Sequence, residues 1–110
     1  MRVTQVVFTA IVLSVYVAIL LSAPPEKADP VGGKAIFQEK CAECHNADNK
    51  ETKDGPGFAG VKNGKLPSGR PATHEGILDL VTNGQESMPA FKELLSQQQR
   101  ENVVAYVMTL

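Results

Sequence analysis

Residues Cys41 to His45 read CAECH and hold both cysteines of the chain and one of its two histidines. Side chains at i and i+3 lie on one side of a helical turn, so the two thiols can meet a single flat partner together. The imidazole that follows at once can then swing beneath the centre of that partner. In an exported chain, C-x-x-C-H reads as a site for covalent haem of the c type. Cys41 and Cys44 can then form thioethers with the vinyl groups, and His45 can ligate the iron from the proximal side. Other chemistries fit less well. A structural zinc ion needs four ligands, and the only set is Cys41, Cys44, His45 and His74, in which adjacent Cys44 and His45 would crowd one tetrahedron. A dithiol redox motif expects a βαβ setting, which the sequence lacks. A disulfide between Cys41 and Cys44 would close a tiny loop of little entropic value and leave His45 unexplained.

An iron so held has a sixth position, for which the sequence offers Met88, Met108 and His74. Met108 falls within the last helical stretch, where packing or exposure is its ordinary use. His74 opens a helix, where a polar residue is usually solvated. Met88 lies in SMPAF, just beyond the helix-ending pair Asn83-Gly84, and Pro89 restricts it to an extended backbone. A methionine there has no regular element to pack into, whereas its thioether suits haem iron, and His/Met ligation raises the reduction potential.

The elements that must position these residues come from a small chain. It has 110 residues, a net charge of −1, 5% aromatic content and no tryptophan. That balance gives no basic field for nucleic acid. Much of the 43% hydrophobic content sits at the N-terminus, which leaves a thin core elsewhere. So small a domain usually needs a staple, and a large apolar cofactor is one.

From Val3 to Pro25 there is no charged residue, and VVFTAIVLSVYVAILL is nearly all apolar. The run exceeds the roughly 7–15 residues of a signal-peptide core and nears the roughly 20 that span a bilayer. Ser22-Ala23 is the natural cleavage point of a signal peptide, but Leu21 is large for the −3 position and Pro24 follows directly. A transmembrane anchor over residues 1–23 is therefore favoured over a cleaved signal peptide. Either reading exports the remainder, and Arg2 on the short side agrees with that orientation. Residues 24–32, PPEKADPVG, read as a short linker, and residues 33–110 as the haem domain.

Three helices are expected and no strand. The first covers about Gly33 to Cys44. The second runs from about His74 to Asn83, with Thr73 as N-cap and Gly84 just past its end. The third runs from about Gln97 to Thr109 and opens with the capping box Ser96-x-x-Gln99. Between the first two lies a Gly/Pro/Lys/Asn-rich loop, residues 46–72, long enough to need something to wrap around.

Over residues 31–110 the chain resembles the small monohaem class I c-type cytochromes. Gly33-x-x-x-Phe37 precedes CAECH, Gly55-Pro56 follows in DGPGFAGV, Met88-Pro89-Ala90-Phe91 comes after the second helix, and a capped helix ends the chain in NVVAYVMTL. The resemblance implies an all-α cytochrome c fold of three to four helices around one covalent haem c. It implies that Gly33 and Phe37 meet Tyr106 where the first and last helices cross. It also implies that the Pro56 carbonyl accepts a hydrogen bond from His45 Nδ1–H, fixing the imidazole and raising its basicity. Phe58 stands where the family often has leucine. Arg70 is the better candidate than Lys65 for a haem propionate, through its bidentate fork. Lys50, Lys53, Lys62 and Lys65 share the loop with Glu51 and Asp54, and a solvated loop is the plainer reading of them.

The expected function is one-electron transfer at the extracytoplasmic face of the cell membrane, with His45 and Met88 as metal ligands and no catalysis. Expected partners are membrane oxidoreductase complexes of a respiratory or photosynthetic chain, and the membrane itself through the N-terminal helix. One alternative is a haem-bearing subunit fixed in a larger membrane complex, for which Ser14 and Ala18 offer a hint of a small-residue helix face. Another is a sensor or peroxidase-like haem protein with a labile sixth ligand.

Overall fold

The computed structural model describes residues 26–110. The proposed membrane segment, residues 1–23, lies outside the described residues, as does the start of the linker. Among the described residues, no helix is long and apolar enough to cross a membrane.

Three α-helices and one short 3-10 helix make up the described chain: α1 (Pro30–Lys40), the 3-10 turn Val61–Asn63, α2 (His74–Asn83) and α3 (Gln97–Val107). There are no strands among these residues, only two isolated bridges, Lys65 with Pro71 and Gln85 with Met88. The architecture is the all-helical one expected.

The first helix is displaced from its expected bounds at both ends. It starts at Pro30, inside the stretch read as linker, because Asp29 accepts hydrogen bonds from the Val31 and Gly32 N–H groups at 2.9 and 3.0 Å. Pro30 occupies the first helical turn, where its missing N–H costs nothing. The helix stops at Lys40 rather than Cys44. The Cys41 N–H makes the last regular bond, to the Phe37 carbonyl at 2.8 Å, and the Ala42 N–H turns to that same carbonyl at 2.9 Å instead of the next one along, which breaks the ladder. The other two helices keep the expected caps. Thr73 Oγ1 accepts from Gly76 N–H at 3.1 Å, and Ser96 and Gln99 exchange both bonds of a capping box.

Helix α3 is the centre of the packing: α1 lies across it, and α2 packs on it with a smaller contact. The α1–α3 approach is close because Gly33 has no side chain; a Cβ there would strike the backbone carbonyl of Asn102. Phe37, one turn further along α1, meets Tyr106 edge-on at 5.4 Å between ring centroids. Asn102 also accepts from the Asp29 N–H at 2.9 Å, so the cap of α1 is pinned to α3. Phe37, Val103 and Val104 are the most completely buried side chains.

The long loop between α1 and α2 is not structureless. Val61 is buried in the core, and the Lys62 N–H reaches the Leu110 carbonyl at 2.7 Å, tying the loop to the end of the chain. The Leu66–Arg70 and Gly64–Ala72 backbone bonds close its second half into a compact turn.

Candidate haem site

CAECH follows α1 as a pair of tight turns. The Cys41 carbonyl accepts from both Cys44 N–H and His45 N–H, at 3.1 and 2.9 Å. Cys41 is the C-cap of α1 and retains right-handed helical backbone angles. The two thiols are free and half-buried. Burial first, and the neighbouring Cys44 second, push the Cys41 thiol up to about 11. It is therefore a neutral thiol at physiological pH. Cys44 Sγ lies 3.9 Å from Asp54 Oδ2.

Residues 53–56 of the long loop fold back over these turns. Lys53 Nζ donates to the Ala42 carbonyl at 2.9 Å, and Gly55 N–H donates to the Cys44 carbonyl at 2.8 Å. His45 Nδ1 lies 2.8 Å from the Pro56 carbonyl oxygen. A carbonyl only accepts, so Nδ1 carries the proton and Nε2 keeps its lone pair for a metal. Gly55 is required beside this ring: a Cβ on it would lie 2.7 Å from Nδ1 and 2.9 Å from Nε2 of His45. The Phe58 ring stacks on the imidazole, with centroids 4.6 Å apart and planes at 19°.

Met88 occupies a tight turn after α2. Its N–H and carbonyl pair with those of Gln85 at 2.9 and 3.2 Å, and the turn passes through Glu86 at φ 53°. Gly84, at φ 70°, lies so close under this turn that a Cβ would sit 2.8 Å from the Ala90 nitrogen. The Met88 side chain is half-buried against the core, alongside partly exposed Phe58, Leu66, Leu78 and Cys41. These residues supply what a haem requires: two thiols, an imidazole with a free Nε2, a thioether and apolar side chains for a porphyrin face. The donor set fits the group.

The other candidates are placed differently. His74 Nε2 bonds Glu101 Oε2 at 2.6 Å, linking the start of α2 to α3. Met108 caps the end of α3 and is 36% exposed. Arg70 is exposed, whereas Lys65 lines a hollow of about 700 Å³ shared with Lys50, Pro56 and Leu66. Lys53 belongs to the strap over CAECH rather than to a free charged patch. Sequence reasoning missed the Lys53 and Glu101 contacts and the tight fit of Gly55 on the histidine. Only Gly55 left a local signal, in its position directly before Pro56.

Residues 28–107 match the family model described as cytochrome c oxidase, cbb3-type, subunit III. A cytochrome c6 of Rippkaea orientalis is 34% identical over 94 residues, covering 86% of this chain and 82% of the relative. A cytochrome c6 of Nostoc sp. is 39% identical over 87 residues, covering 79% of this chain and 76% of the relative. The solved cytochrome c6 of the diatom Phaeodactylum tricornutum superposes with a TM-score of 0.58 at 32% identity, over 74% of this chain and 93% of that one. On fold, donor set and relatives together, the chain belongs to the small class I c-type cytochromes, electron carriers with one covalent haem c and no enzymatic activity of their own.

Proposed function

We propose that the chain transfers single electrons through a haem c whose iron His45 and Met88 would ligate and whose thioether links Cys41 and Cys44 would form. The observation that carries this reading is the 2.8 Å bond between His45 Nδ1 and the Pro56 carbonyl. It holds the ring in the tautomer that offers Nε2 to iron and strengthens that nitrogen as a donor. Haem c supplies a one-electron ferric/ferrous couple. The residues around it orient and exclude: Pro56 and Gly55 set the proximal ring, and the Gln85–Met88 turn presents a thioether from the segment after α2. Met88 on the sixth position would keep small ligands off the metal. Carbon monoxide added to the reduced wild-type protein is the test. An unchanged spectrum is expected; ready binding would replace this reading with that of a sensor or peroxidase-like protein.

The uncharged run from Val3 to Pro25 supports a membrane anchor that holds the haem domain at the extracytoplasmic face. Electron exchange is then confined to partners near the bilayer, namely membrane oxidoreductase complexes of a respiratory or photosynthetic chain. A second reading draws on the matching family model, whose description is that of an oxidase subunit. In that case the haem domain is a fixed relay. Copurification from detergent-solubilised membranes separates the two: a stable stoichiometric complex identifies a subunit, and the free chain identifies a shuttle. Recovery from the soluble fraction, with a mature chain starting near Ala23, would remove the anchor but leave the electron-transfer reading standing.

A further inference from the structure

Four rings run in one row from the last helix to the proximal histidine. Tyr106 meets Phe37 edge-on at 5.4 Å and 66°, Phe37 meets Phe58 edge-on at 6.2 Å and 67°, and Phe58 stacks on His45 at 4.6 Å and 19°. Both edge-on pairs have the geometry aromatic rings prefer. Phe37 is 2% exposed and fixed between α1 and α3, so it is an immobile backing for Phe58.

The Pro56 bond restrains His45 at one atom only. A hydrogen bond prefers a donor angle above about 150° but weakens steeply only below about 120°. One such bond, even with the Gly55 backbone packed beside the ring, leaves the imidazole plane some freedom to tilt about its anchored edge. A flat ring lying almost parallel to it removes that freedom, and a branched aliphatic side chain, the residue common at this position in the family, presents no plane to do so.

We propose that Phe58 is a positioning residue for His45: by face stacking, backed by Phe37 and Tyr106, it sets the angle of the imidazole plane. The inference rests on the reading of His45 as an iron ligand. With a histidine and a methionine ligand, the imidazole plane and the orientation of the methionine sulfur together set the in-plane magnetic anisotropy of a low-spin ferric centre, so turning the imidazole plane changes it. That anisotropy is read from the spread and order of the haem-methyl proton shifts and from the electron paramagnetic resonance g values.

The test is proton NMR of ferric holoprotein for wild type, Phe58→Leu and Phe58→Tyr. The leucine variant is expected to change the spread or order of the haem-methyl shifts, and the tyrosine variant, which keeps the flat ring, to retain the wild-type pattern. A wild-type pattern in the leucine variant, with iron-bound imidazole resonances still present, would overturn the proposal and reduce Phe58 to packing. Absence of iron-bound imidazole resonances from the wild type would overturn the ligand reading beneath it. Should the leucine variant not accumulate as holoprotein, Phe58→Met removes the plane with an unbranched, flexible side chain that adapts to the space the ring leaves, and the same outcomes decide.

Discussion

The backbone carbonyl of Asn102 fills the space where a Cβ on Gly33 would have to sit. The obstacle is backbone on the central helix, so it cannot swing aside as a side chain would. Gly33→Ala should force α1 away from α3 and loosen the Phe37–Tyr106 contact beside it. Overpacking of this kind costs about 1–3 kcal/mol. In a domain of this size each kcal/mol lowers the melting temperature by about 4–8 °C. Calorimetry of the holoprotein measures it, and an unchanged midpoint would mean the helices separate without cost.

The same helix is tested at its start by Ser96. Its hydroxyl accepts the Gln99 N–H at 3.1 Å, and the Gln99 side chain accepts the Ser96 N–H at 2.8 Å. Ser96→Ala removes one half of this box and should cost about 1 kcal/mol. The loss should appear as a shift in the denaturant midpoint, with the slope unchanged. A change in slope instead would mean that the substitution alters more than the end of one helix.

The caps of α2 and α3 and the CAECH motif were legible in the sequence because each is written in residues within a few positions of one another. The start of α1 was written just as locally, in Asp29-Pro30. It fell instead within the stretch 24–32 read as linker, and the Gly32-Gly33 pair beyond Val31 is a poor helix interior, since glycine is about 1 kcal/mol poorer than alanine there. What overrides that cost is nonlocal: Gly33 lets α1 lie against Asn102, 69 positions away in the chain. The strap from Lys53 to the Ala42 carbonyl, the stacking of Phe58 on His45 and the bond from His74 to Glu101 have the same character. Each depends on how the loop and helices close on one another, and no spacing along the chain announces it.

His74 was a sequence candidate for the distal ligand, and in the structure its Nε2 is bonded to Glu101 at 2.6 Å. The pair is partly exposed, with side-chain exposures of 43% and 23%. Solvent screening therefore limits it to roughly 0.2–1 kcal/mol. His74→Ala should lower stability by that small amount and leave the visible and far-red spectra of the ferric protein as they are. Loss of the far-red band in this variant would return His74 to the metal site, or show that the α2–α3 link controls it.

Met88 and Met108 differ in what surrounds them, and that difference gives the last test. Met88 is half-buried against the core at the end of a turn that Gly84, Gln85 and Pro89 hold in shape. Met108 caps α3 and is 36% exposed, with its N–H bonded to the Val104 carbonyl at 3.0 Å. If Met88 sulfur ligates the ferric iron, Met88→Ala should abolish the far-red sulfur–iron band. The reduced variant should then bind carbon monoxide, and its reduction potential should fall, because a thioether ligand favours the ferrous state. Met108→Leu keeps an apolar side chain of similar size at the end of α3 and should change none of the three. Spectra of the two ferric variants and a potentiometric titration of each are sufficient. A Met88→Ala protein that keeps its far-red band, beside a Met108→Leu protein that loses it, would move the sixth ligand from the turn after α2 to the end of α3.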